Sequence, residues 1–283
     1  MAGNLSQFQI RTLRYLSLRE KDIDPRTRAH KHPWNLPKVV CNAARFERHS
    51  PWRLAAWADS EGLAFSHPFF ALWPTEGVSE FALAAILCSP MANAFSFEND
   101  LDKNNHISTL KRLPIPAIEH LRPNGQLDRQ TRDLQAVLAP KQFTPEPAAD
   151  EVREALVRLD AAVLDAYELP EREQRRLLDQ FSGYERPVAV TFMGYFPDHF
   201  KDVISLHDFV AINYDWDTVN ERRCDLIEKK ISRQSMTDEE QLELEHLQHL
   251  ADLLIELKDP YPIKELDEFI DKLKAEGKWK DTI

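Results

Sequence analysis

Between residues 38 and 74 the apolar positions come in short runs, 38–41, 52–58, 63–65 and 69–73, with the turn formers of 59–62 and 66–68 standing between them. Runs of this length, punctuated in this way, predict strands and turns. The period then lengthens. Leu83, Ile86, Leu87, Met91, Ala94 and Phe95 recur at helical spacing, and Pro90 falls inside that pattern, where a continuous helix would lose about 3 kcal/mol. Ser89 ahead of it resolves the conflict. A serine N-cap with proline in the first helical position starts a new helix, so the pattern predicts two short helices broken at Cys88-Ser89.

Residues 111–116, Lys-Arg-Leu-Pro-Ile-Pro, predict an extended segment, because a residue ahead of proline is pushed out of the α region. The stretch 119–147 is polar, poorly periodic and rich in Pro, Gln and Arg, and the expected domain boundary lies inside it. Beyond it Val152, Leu156, Leu159 and Val163 mark a long amphipathic helix stopped near Leu169-Pro170. Leu177, Leu178 and Phe181 mark the next, with Gly183 at its end. Residues 187–197 are aromatic-rich and predict an extended segment that returns to the first domain or packs over the helices. Val219, Leu226, Ile227 and Ile231 give a further helix. Thr237 with Glu240 forms a capping box opening a helix carried by Leu244, Leu247, Ala251 and Leu254. A last helix carries Ile263, Leu266, Phe269, Ile270 and Leu273, closed by Gly277. The expected fold class is α+β: a mixed-strand domain over 1–140 followed by a mostly helical acidic region over 141–283.

Charge sharpens the division. The net charge of −11 argues at first against a nucleic-acid partner, because phosphate neutralisation dominates DNA affinity. Residues 1–140, however, hold 17 Lys and Arg against 14 Asp and Glu, a net of +3, while 141–283 hold 19 against 33, a net of −14. A basic front and an acidic back suggest DNA on one side and a protein-facing or solvated set of helices on the other. Cys41, Cys88 and Cys224 make neither a zinc pair nor an even disulfide set, which points to reduced thiols. No apolar run approaches the roughly 18 residues of a membrane span, so the expected location is the cytoplasm.

Three runs carry a family resemblance: Lys38-Val-Val-Cys-Asn42 with Pro51-Trp-Arg-Leu-Ala-Ala-Trp57, then residues 81–95, then His106-Ile-Ser-Thr-Leu-Lys-Arg-Leu-Pro-Ile-Pro116. In this order the chain resembles the target-recognition domain of adenine-specific DNA methyltransferases of bacterial restriction-modification systems, and residues 159–167, 183–197 and 215–277 resemble the helical tail that follows it. The resemblance implies a chain that selects a DNA sequence and leaves methyl transfer to another segment or polypeptide. The catalytic elements are missing: only seven glycines are present, none spaced as a turn for S-adenosylmethionine. The nearest approach to an Asn/Asp-Pro-Pro-aromatic loop, Asp259-Pro260-Tyr261-Pro262, has Tyr in the second Pro position. No cofactor and no catalysis by this chain alone are expected.

Other letters suggest metal chemistry, yet each has a plainer reading. Pro197-Asp198 with Glu228 and Lys230 has the composition of a nuclease site, but residues two apart on a helix face different ways. His246 and His249, near Glu243 and Glu245, lack a third ligand, so no metal is expected. The expected DNA contacts are Arg45, Arg48, His49 and Arg53 in a turn between strands, Lys103, Asn104, Asn105 and His106 in a polar loop, and Lys111 and Arg112 beside it. Arginine offers a planar fork to guanine or phosphate, and asparagine the donor-acceptor pair that matches adenine. The expected partners are double-stranded DNA and, through the helices after Asp150, a methyltransferase polypeptide or a second copy. A pure interaction module and an inactive remnant of a longer gene remain alternatives.

Overall fold

The computed structural model describes residues 5–10, 31–65, 69–100, 104–139, 148–197, 200, 204–232, 234–258 and 263–276. The chain divides into two compact units, Met1–Val210 and Ala211–Ile283.

The first unit is built on an antiparallel sheet, β3 (Lys38–Asn42) between β4 (Ala56–Asp59) and β5 (Phe69–Leu72), in register at Val40↔Trp57 and Val40↔Ala71. A small hairpin of β1 (Leu5–Ser6) and β2 (Gln9–Ile10), which the sequence pattern does not announce, packs against β4. Of the expected strand runs, 52–58 joins the ladder only in part and 63–65 not at all, because side chains capture their backbone. The amides of Arg53 and Leu54 donate to Asn93 Oδ1 at 2.7 Å each and that of Ala55 to Asn42 Oδ1, so only residues 56–58 of the run 52–58 pair as strand, in β4. Leu63 N, with Glu61 N and Gly62 N, donates to the carboxylate of Asp59. Gly62 completes that turn at φ +83°, where a Cβ would meet Asn35 Cα and Trp34 O at 3.3 Å. Lys38, fully buried, pairs with the same carboxylate.

Helices α1 (Glu80–Cys88) and α2 (Pro90–Asn99) break as the sequence predicts. Ser79 caps the first by accepting from Phe81 N at 3.0 Å, Ser89 caps the second by accepting from Ala92 N at 3.3 Å, and the two axes meet at 59°. From Phe81 to Cys88 only Leu83 is not buried, as expected of a helix sandwiched between a sheet and other helices. A short α3 (Ile107–Leu110) follows. The stretch expected to be irregular contains α4 (Gln126–Leu138), a 13-residue amphipathic helix whose Leu127, Thr131, Leu134 and Leu138 are buried and which packs on α1. α5 (Ala149–Ala166) packs on α4 and α1, and α6 (Glu171–Asp179) on α2. The chain beyond residue 140 therefore continues the first unit, and the division in contacts lies near 210 in place of the 140 expected from the polar stretch. α7 (Leu206–Asn213) carries the chain across it.

In the second unit α8 (Trp216–Ile231) and α9 (Asp238–Lys258) pack together, with Arg222 paired to Glu243 and Lys229 to Glu240, an antiparallel order; α10 (Ile263–Ala275) follows. The capping box forms, with Glu240 N donating to Thr237 Oγ1 at 3.1 Å and Thr237 N to Glu240 Oε2 at 2.9 Å. The architecture is α+β with a helical C-terminal region. Among the described residues no single helix is long and apolar enough to cross a membrane.

Candidate nucleic-acid interface

Two loops far apart in sequence meet at the end of the sheet. Asn42, the last residue of β3, turns its side chain into the loop that follows: Nδ2 donates to Ala44 O at 2.7 Å and Arg53 O at 2.9 Å, while Oδ1 accepts from Ala55 N. The loop after α2 returns to the same place. Asn104 forms an antiparallel bridge with Ala44, Asn105 N donates to Ala43 O at 2.8 Å, and Asn105 Nδ2 donates to Asn42 O and Arg53 O at 3.2 and 3.0 Å. Asp100 closes the second loop by accepting from Thr109 Oγ1 and His106 N. Buried asparagines thus stand where ladder partners would otherwise be required. Asn42 and Asn93 escape a reading by residue type, although a lone Asn at the end of Lys-Val-Val-Cys-Asn and within Met-Ala-Asn-Ala-Phe is the signal that marks them.

This joint sorts the expected DNA contacts. Arg48, His49, Asn104, His106, Lys111 and Arg112 are exposed; Arg45 is half-buried, with Nη1 donating to Arg48 O at 3.1 Å. Residues 43–50 and 104–112 carry Arg45, Arg48, Lys111 and Arg112 against Glu47 alone, a net of +3 with histidines neutral. Lys103 lies outside the described residues. Arg53 and Asn105 need correcting. Arg53 is 2 % exposed, its guanidinium donating to Asp100 O and lying 5.6 Å from the centre of the Phe97 ring, and burial first, then Arg45, holds its pKa below the ordinary value. Asn105 is 1 % exposed, and its amide ties the two loops together. Both build the joint, and neither presents a side chain at the surface.

The catalytic letters of the sequence do not assemble among the described residues. Glu228 and Lys230 are exposed on α8, His246 and His249 are exposed on α9, and no group of three His, Cys, Asp or Glu residues is arranged to hold a metal. Asp198 and residues 259–262 lie outside the described residues. Cys41 and Cys88 are buried, and burial pushes both thiols up, Cys88 to about 12.

The most heavily buried charges belong to the scaffold. Arg186 donates Nε to Gln7 Oε1 at 2.6 Å, Nη2 to Cys88 O at 3.2 Å, and pairs with Asp160 through both terminal nitrogens; Tyr195 donates its hydroxyl to Asp160 Oδ2 at 2.9 Å. Its guanidinium lies 4.7 Å from the Trp52 ring centre. Burial pulls the Arg186 pKa down, and the Asp160 carboxylate more than restores it, so the group is held above its ordinary value. With these partners satisfied and water excluded, the cluster is a structural tie.

No protein-family model matches the chain, and no curated protein and no solved structure matches it.

Proposed function

We propose that the chain is a DNA-recognition module, the specificity portion of an adenine-specific methyltransferase or restriction-modification enzyme, with methyl transfer carried by a separate polypeptide or segment. One observation carries this reading beyond the sequence resemblance. Two loops about 60 residues apart, each singled out for its cations and amides, are knitted into one rim that leaves Arg48, His49, Asn104, His106, Lys111 and Arg112 in solvent. In this reading Arg45, Arg48, Lys111 and Arg112 hold phosphates and set register, while Asn104 supplies the amide suited to a base edge.

A partner polypeptide would dock on the second unit. The apolar stripe of α5 is consumed internally, with Val152, Leu156, Leu159 and Val163 each at most 1 % exposed. Ile231 and Leu242 on α8 and α9 are 75 % and 66 % exposed, beside a groove of about 690 Å³ lined by Ile227, Met236 and Leu244. The same observation favours the competing reading, a helical interaction module with no DNA role.

Fluorescence anisotropy of the whole chain with labelled duplex DNA at low ionic strength separates the two. DNA recognition requires binding whose log affinity falls linearly with log salt. Reversing Arg48, Lys111 and Arg112 to Glu should lower affinity and flatten that slope by about one unit per phosphate contact removed. Absence of salt-dependent binding, or binding indifferent to the three reversals, refutes the proposed rim.

A further inference from the structure

The charged rim continues into an apolar prong. Of the six large apolar side chains strongly exposed among the described residues of the first unit, three are isoleucines within residues 107–118: Ile107, Ile115 and Ile118, at 45 %, 58 % and 59 %. Ile115 is presented rigidly. Pro114 and Pro116 lock their own φ angles, and each keeps the residue before it out of the α region. The segment is pinned on both sides of the isoleucine: Leu113 and Pro116 are buried, and Tyr167 donates its hydroxyl to Pro114 O at 2.7 Å. Further on, Leu121 is 1 % exposed and its carbonyl accepts from Ser79 N at 2.7 Å. An exposed isoleucine between two anchors loses little freedom when it enters a partner.

The surroundings select the partner. Residues 104–118 contain no Asp or Glu, and Lys111 and Arg112 stand exposed just ahead of the prong. At ~3.3–3.6 Å of chain per residue, Arg112 and Ile115 are at most about 11 Å apart, so both fall within a span of about three base-pair steps of ~3.4 Å. A rigid apolar side chain that follows two exposed cations, in a 15-residue span without an acid, matches a stack of flat bases between two phosphate strands. We infer that Ile115 is an apolar wedge that enters a base step of bound duplex DNA from the minor groove, while Lys111 and Arg112 hold the adjoining phosphates. This rests on the DNA-recognition reading above. A wedge of this kind unstacks one step and kinks the duplex by about 20–90°, and it prefers the flexible TA and CA steps.

The test uses the whole chain at low ionic strength with duplexes of about 30 base pairs. They carry 2-aminopurine in place of adenine at TA steps and a fluorophore pair at their ends. Binding should raise 2-aminopurine fluorescence and increase energy transfer between the ends. Ile115→Ser should abolish both changes while affinity stays within about threefold and the salt slope is unchanged, because phosphate contacts position the protein independently. Ile118→Ser, removed from the same surface, should leave both optical changes in place. Wild-type chain that binds with neither optical change, or Ile115→Ser that retains both, overturns the wedge and assigns the prong to a protein surface, with DNA binding intact. A wild-type chain that binds no duplex overturns the DNA reading and the wedge together.

Discussion

Replacing Asn93 by alanine removes the side chain that allows the chain to leave the sheet at residue 55. Its Oδ1 accepts from the amides of Arg53 and Leu54 at 2.7 Å each, its Nδ2 donates to Leu87 O and Ser89 O, and the residue is wholly buried. An orphaned buried N–H costs about 1–3 kcal/mol. Two of them therefore cost about 2–6 kcal/mol against a usual total stability of about 5–15 kcal/mol. In a unit of this size each kcal/mol moves the midpoint by about 2–4 °C, so Asn93→Ala should lower the Tm of the first unit by at least about 4 °C and, with water kept out of the space left, by about 12 °C or more. Scanning calorimetry reads the shift. Asn99→Ala serves as the control: its amide also bonds a helix carbonyl, Phe95 O at 2.9 Å, but it is exposed, and the change should stay within about 0.5 kcal/mol. An Asn93→Ala transition within about 2 °C of wild type would refute the claim that this amide stands in for a missing ladder.

Arg186→Met should destabilise the first unit by about 3–5 kcal/mol, because Asp160 is left buried without its cation, and adding Asp160→Leu should recover part of the loss. In the single variant burial holds the Asp160 carboxyl above its unfolded value, a raised folded pKa. Its stabilising contribution is then present below the unfolded pKa and lost as pH rises, so denaturant melts should find Arg186→Met closer to wild type at acidic pH than at neutral pH; a constant gap counts against the tie. A thiol reagent at neutral pH should label Cys224, which is exposed, at once and Cys41 and Cys88 only on unfolding, and rapid labelling of all three thiols would contradict the buried positions of the latter two.

Much of this architecture was legible because local chemistry and tertiary demand agree. Ser89-Pro90 and Thr237 with Glu240 state their roles within a few neighbouring residues, and both caps form. α4 carries a thin apolar signal because, of its six buried positions among thirteen, Asp128, Thr131 and Gln135 are polar, and the helix is recognisable only with α1 against it. The division near 210 is hidden for the same reason, since it is α4, packed on α1 and α5, that carries the first unit past residue 140. At the candidate site residue type alone separated nothing. Arg48 and Arg53 read alike as cations in a turn, and burial set by Asn93, Asp100 and Phe97 distinguishes them. Arg53 does carry a warning in the sequence, lying within Trp-Arg-Leu-Ala-Ala-Trp, where almost every neighbour is apolar.

The tie at Arg186 has a bearing on the order of synthesis. It clasps Gln7, 179 positions earlier, and the carbonyl of Cys88, 98 positions earlier. At ~5–20 residues per second on the ribosome, Gln7 precedes its partner by roughly ten seconds or more. During that interval Trp52 and the start of the sheet have emerged without the cation and the Phe181 ring that cover Trp52 in the finished unit. The basic rim is thus encoded early but mounted on a scaffold completed late. A nascent chain arrested before residue 186 would display loops whose foundation is still open, a state exposed to chaperones and proteases in a way the finished unit is not.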